Sequence, residues 1–107
     1  MPREKMPNRR VHYHEVLIPR YADGRDAEKI RLGMGEYVDG RLGEIWLNHQ
    51  KGGSFGNDIL HALAVAISLG LQHGITIQEF SKTLKQIKMD PNILEVVFGA
   101  LEARYPK

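Results

Sequence analysis

The stretch EKIRLGMGEYVDGRLGEIWLN, residues 28–48, decides the fold. Its first part alternates, with Ile30, Leu32 and Met34 on one side and Lys29, Arg31 and Gly33 on the other. Its last part, Leu42 to Asn48, alternates again, and Asp39-Gly40 stands between the two. Alternation with period two marks a half-buried strand. An Asp-Gly pair readily takes the left-handed backbone of a tight hairpin turn. The stretch therefore reads as two antiparallel strands. Upstream, Val11 to Ile18 is rich in β-branched and aromatic residues and ends at Pro19, which predicts another strand. Asp23-Gly24, within Tyr21 to Arg25, is a further turn signal.

After His49 the period changes. Gln50 to Gly56 is a glycine-rich loop, and from Asn57 the pattern becomes helical. Phe55, Ile59, Leu63, Ile67 and Leu71 recur every four residues, with Ala62, Ala66 and Gly70 as a second, small-residue row. A helix apolar over most of its circumference is expected to be buried, and Gly74 is placed to end it. Thr76 and Glu79 have capping-box spacing, and Ile75 and Phe80 have staple spacing, so a second helix starts near Ile77. It buries Ile77, Phe80, Leu84 and Ile87 and shows lysines outside. Asp90-Pro91 opens a third helix, which buries Leu94, Val97, Phe98 and Leu101. The expected helices run near 55–73, 77–88 and 91–104. Strands followed by helices predict an α+β fold: an antiparallel sheet of three to four strands with two to three helices packed on one face.

The 107 residues fit one domain. Residues 1–10 read as a flexible basic N-terminal arm, because Arg3, Lys5, Arg9 and Arg10 face only Glu4. Residues 11–107 read as a single α+β domain. Cysteine is absent, which excludes disulfides, thiolate metal sites and thiyl-radical chemistry. The longest apolar stretch, Ile59 to Leu71, is too short to span a bilayer. No secretory signal is visible at the N-terminus. A cytoplasmic location and no membrane partner are therefore expected.

Gly35 to Trp46 resembles the second hairpin of the TSCPD domain of cobalamin-dependent (class II) ribonucleotide reductases. Ala66 to Gly74, followed by Glu79-Phe80, resembles the first helix of that domain and the start of its second. Met6 to Arg10 resembles the segment leading into it. The Thr-Ser-Cys-Pro-Asp run that names the family is replaced by Lys88-Met89-Asp90-Pro91-Asn92, which keeps only the proline. The cysteines that reduce a ribose have no counterpart either. The resemblance implies a fold and a link to nucleotide biology, without reductase chemistry.

The candidate ligand-binding residues are Arg41, Lys51, Gly52, Gly53, Ser54 and Asn57. Glycines let the backbone approach a ligand, the following helix N-terminus favours anions, and Lys51 and Arg41 supply charge. The spacing is not that of a Walker loop. A sharp sheet-to-helix turn also calls for glycine, so the loop has a purely structural reading as well. His12 and His14 share a strand face but lack the further ligands a zinc site wants, and His61 reads as a packed or interface histidine. No metal and no cofactor are expected. Glu36 and Glu44 could face each other as an acid–base pair, though pairing with Arg31 and Arg41 is the simpler reading. Trp46 and Tyr37 could stack a base, though an aromatic on a sheet that faces helices is more simply core, and Trp46 is read so.

No nucleophile, metal set or acid–base pair is complete, so no catalytic residue is assigned. The expected function is a non-catalytic nucleotide-binding module related to ribonucleotide reductase. One form of it is a phage-type sponge that sequesters cyclic or modified nucleotide signals. The alternative is a split-off accessory subunit that docks onto a ribonucleotide reductase. The expected partners are a nucleotide or cyclic nucleotide and further copies of the chain in a homo-oligomer, suited by the row Ala62, Ala66 and Gly70.

Overall fold

A computed structural model describes residues 2–18, 28–49, 54–87 and 93–106. Its element order is β1 (Arg10–Ile18), β2 (Glu28–Glu36), β3 (Leu42–His49), α1 (Ser54–Gln72), α2 (Ile77–Leu84) and α3 (Ile93–Arg104). The fold is the expected α+β arrangement, with three antiparallel strands in the order β1-β2-β3 followed by three helices. The turn signal at Asp23-Gly24 and the helix start at Asp90-Pro91 lie outside the described residues.

Alternation sorts the two faces of the sheet. Register pairs Val16 with Ile30, Leu32 with Leu47, and Met34 with Ile45, and all six side chains are buried on the helix side. The same register sets Gly33 between Tyr13 and Trp46, and Gly35 between Val11 and Glu44, on the other face. At the β2–β3 turn Gly40 has φ +91°, the left-handed conformation its sequence promised. α3 seals the core with Leu94, Val97, Phe98 and Leu101, all four as expected. Phe98 and Leu101 are wholly enclosed, and each such side chain contributes about 1.5–3 kcal/mol of hydrophobic stabilisation.

α1 departs from the expected wholly buried helix. Leu60, Ala64, Ile67 and Leu71 face the core, while Ile59, Val65 and Leu69 are about half exposed, and Ala62 and Ala66 are exposed. The reason is geometric. Steps of four residues overshoot a 3.6-residue turn by roughly 40° each, so the row from Ile59 to Leu71 winds from solvent into the core. Gly70 of the small-residue row lies under the Phe80 ring.

α1 runs beside β3, and its polar side chains bond the strand's outer backbone edge. Asn57 Oδ1 accepts from His49 N–H at 2.7 Å, Ser68 Oγ accepts from Ile45 N–H at 2.9 Å, and Gln72 Nε2 donates to Gly43 C=O at 3.0 Å. These contacts satisfy groups that a fourth strand would otherwise pair. α1 ends in a Schellman motif, with Ile75 N–H on Gly70 C=O at 3.0 Å, Gly74 N–H on Leu71 C=O at 3.1 Å, and Gly74 at φ +97°.

The capping box at α2 is complete: Thr76 Oγ1 accepts from Glu79 N–H at 3.1 Å, and Glu79 Oε1 accepts from Thr76 N–H at 3.2 Å. α2 stops at Leu84 rather than near 88. Its end tightens through i−3 bonds, from Gln86 N–H to Thr83 C=O and from Ile87 N–H to Leu84 C=O.

Candidate functional site

A hollow of about 670 Å³ opens where the β2–β3 turn, the start of α2 and the end of α3 meet. Tyr37, Arg41, Thr76, Gln78, Arg104 and Tyr105 line it. This volume lies in the range of small-molecule sites. The N-terminal segment packs against the Tyr37–Arg41 turn. It has no regular secondary structure, yet it is anchored: Glu4 N–H donates to Gln72 C=O at 2.7 Å, Tyr37 Oη donates to Glu4 C=O at 2.8 Å, and Met6 is buried against Gly43.

Arg41 lies over the Tyr37 ring, 4.6 Å from its centroid. Its guanidinium bonds both carboxylate oxygens of Glu4, at 2.9 and 2.6 Å, and Asp39 Oδ2 at 2.7 Å. Those bonds hold Glu4 and Asp39 below their ordinary carboxylate range and push Arg41 up. The groups are solvent-exposed, so a competing anion can reach the guanidinium.

At the opposite wall, Tyr105 Oη donates to Glu36 Oε2, and His12 Nε2 lies 3.4 Å from Glu36 Oε1. The Tyr105 bond holds Glu36 below its usual value, against the opposing effect of burial. Burial first, then the bond to Glu36, pushes the Tyr105 phenol up to about 12. The pair is thus ionised carboxylate and neutral phenol at neutral pH, with neither group poised to exchange a proton. Gln78 Nε2 donates to Tyr105 C=O at 2.7 Å and fixes the end of the chain against α2.

Of the residues singled out in the sequence, Arg41 and Tyr37 line this cleft. Asn57 lies at the far end of β3, roughly 20 Å away at about 3.3 Å per strand residue, and is engaged with the His49 backbone. One chain therefore does not bring Arg41 and Asn57 together. Ser54 begins α1, and Lys51, Gly52 and Gly53 lie outside the described residues. Arg104, Tyr105 and Gln78 were not singled out. An Arg-Tyr pair at the end of a helix carries no local motif, and only the packing of α3 reveals where it points.

Glu36 and Glu44 project from opposite faces of the sheet, so they do not form a pair. Glu36 takes Tyr105 and His12, and Glu44 takes Arg9 at 2.6 Å. Arg31 lies over the Tyr13 ring at 4.3 Å. Trp46 is not in the helix-side core. It sits half-buried on the open face opposite Gly33, where a missing Cβ leaves room for its ring. Among the described residues no group of three or more His, Cys, Asp or Glu gathers to hold a metal. No helix among them is long and apolar enough to cross a membrane.

The TSCPD domain family matches residues 4–105. Vitamin B12-dependent ribonucleotide reductases of Bradyrhizobium diazoefficiens and Agrobacterium fabrum are each 32% identical over 117 residues. Those alignments cover 96% of this chain and 9% of each reductase, so the chain spans about a tenth of the length of these relatives. No solved structure matches significantly.

Proposed function

We propose, from the premise that this chain belongs to the TSCPD domain family, that it is a non-catalytic nucleotide-binding module acting as a homo-oligomer. The cleft between the β2–β3 turn and the end of α3 carries the reading. It pairs two guanidinium groups, Arg41 and Arg104, with two phenol rings, Tyr37 and Tyr105, in a volume of about 670 Å³. Guanidinium groups bond phosphate oxygens strongly, and aromatic faces accept a base. Glu4 and Asp39 hold Arg41, so phosphate binding exchanges one anion for another. In its phage-type form such a module acts by sequestering a cyclic or modified nucleotide signal. The direct test is mass spectrometry of small molecules released on denaturing the purified protein, followed by calorimetry with the molecule found. A nucleotide released in stoichiometric amount supports the reading. Protein that releases none, and binds no nucleotide or cyclic nucleotide in calorimetry, removes it.

A second reading, an accessory subunit that docks onto a ribonucleotide reductase, is favoured by α1. Ile59, Val65 and Leu69 leave an apolar face open, and the matched segments of the relatives belong to much longer chains. Co-elution with a B12-dependent reductase lacking its own copy of the domain, lost on Val65→Glu, supports docking. Separate elution counts against it.

A further inference from the structure

The sheet face turned away from the helices carries two aromatic rings in one row. Register places Tyr13 and Trp46 on either side of Gly33, midway along the three strands. Neighbouring strands lie about 4.8 Å apart, so the two rings spring from backbones roughly 10 Å apart. The missing side chain between them closes that distance. A Cβ at Gly33 would lie 2.9 Å from Trp46 Cε3 and 2.9 Å from Tyr13 Cε1, so both rings lean over the glycine toward each other. Arg31 adds a flat guanidinium over the Tyr13 ring, 4.3 Å from its centroid. Tyr13 is 54% exposed, and Trp46 is half-buried.

The charge around this row is positive. Lys29 and Arg31 share this face of β2 by alternation, and Arg9 enters it at Glu44. Arg3 lines a hollow with Trp46, and Arg3, Lys5 and Arg9 line a second one with Glu44. Among the described residues, only Glu15 and Glu44 answer these cations on the face. Glu44 is buried and taken by Arg9. Lys5 and Lys29 have no ion-pair partner among the described residues.

We infer that this face binds single-stranded nucleic acid, with bases stacked on Trp46, Tyr13 and the Arg31 guanidinium and with phosphates beside Lys5 and Lys29. Unpaired bases stack on aromatic rings and on guanidinium planes alike, and a strand's backbone follows a run of cations. In a duplex each base is covered by its neighbours, so only an unpaired strand can use the platform. Stacking reads no sequence, and DNA and RNA offer it the same chemistry. The platform shares no residue with the Arg41 cleft and goes beyond the reading of it: the cleft takes one nucleotide, and this face takes a chain of them.

Trp46 is the single tryptophan of the chain, so its fluorescence reports on the platform directly. The test is titration of the whole chain with oligo-dT, with oligo-rU and with a DNA duplex, each about a dozen nucleotides long. Both single strands should quench Trp46, with an affinity that falls steeply as salt rises from about 50 to 200 mM, and the duplex should bind more weakly. Tyr13→Ala should weaken binding roughly tenfold, Arg31→Ala should act in the same direction, and Tyr13→Phe should keep the parent affinity. Arg41→Ala should leave quenching unchanged. Far-UV circular dichroism checks that the variants fold. Quenching by one of the two strands supports the platform and names the sugar it takes. No quenching by either strand overturns the proposal. So does binding indifferent to Tyr13→Ala and Arg31→Ala, or a duplex bound as tightly as a single strand, which is attraction by charge alone. Binding lost in Arg41→Ala and kept in Tyr13→Ala moves the strand into the cleft and overturns the platform. Free nucleotide is decided separately by calorimetry, so either reading can fail while the other stands.

Discussion

Ser68 stands in for a neighbouring strand at Ile45: its hydroxyl oxygen accepts from the Ile45 N–H at 2.9 Å, and its hydrogen is shared between Ile45 C=O at 3.2 Å and Ala64 C=O at 2.8 Å. Ser68→Ala removes all of this and leaves a partly buried donor unmatched. Urea unfolding should report a loss of about 1–3 kcal/mol, and the Ile45 amide should exchange faster. Unchanged exchange at Ile45 would mean that water replaces the hydroxyl at no cost.

Tyr105→Phe should change how stability depends on acid. The folded state holds Glu36 below its ordinary 4.5, chiefly through the Tyr105 hydroxyl. A depressed carboxylate stabilises fully above its unfolded value, and that contribution is lost as pH falls through the folded one. The variant should therefore melt below the parent at pH 7, with the gap closing as pH drops through 4.5 and below. Carbon NMR of the Glu36 carboxyl should show its titration moving up. A melting gap independent of pH would point to lost packing instead.

Gly70→Ala should destabilise, against the usual trend. Alanine in place of a helical glycine ordinarily gains roughly 0.5–1 kcal/mol. At Gly70 a Cβ would overlap the edge of the Phe80 ring and touch Ile75 Cδ1 at 3.4 Å, and overpacking of this kind costs about 1–3 kcal/mol. Phe80→Leu in the same chain should recover part of the loss, and thermal melts of the single and double variants decide it.

Arg41→Ala and Arg104→Ala should each weaken nucleotide binding roughly tenfold or more, the effect of losing a charge-assisted hydrogen bond. Lys51→Ala tests the glycine loop in the same titration. The Glu4–Arg41–Asp39 ion pairs are exposed and hold little of the fold together, so Arg41→Ala should leave the melting temperature nearly unchanged. Full affinity in both arginine variants removes the cleft as the binding site.

Much of the architecture was legible. Alternation around Asp39-Gly40 gave β2 and β3, Thr76 with Glu79 gave the start of α2, and the periodic Leu94, Val97, Phe98 and Leu101 gave the buried side of α3. The phase of α1 was not legible, because a helix with apolar residues all round does not say which side faces in. Asn57, Ser68 and Gln72 look like ordinary polar residues until α1 is known to lie along β3. Trp46 reads as core only from the general habit of aromatics on a sheet that faces helices. Period-two alternation with Ile45 and Leu47 already places it on the other face, where Gly33 of the neighbouring strand leaves a slot for the ring. In the cleft Arg41 and Tyr37 are legible from the sequence, while Arg104 and Tyr105 lie more than sixty residues further along the chain and join them only through the packing of α3.

The seal on β3 also bears on how far association through the sheet can run. Head-to-tail growth of strands into a fibril needs two open edges on every molecule, one to receive and one to offer. With Asn57, Ser68 and Gln72 engaged along β3, that edge is not on offer. A strand added at β3 would first have to displace α1, so growth of the sheet from that side is blocked.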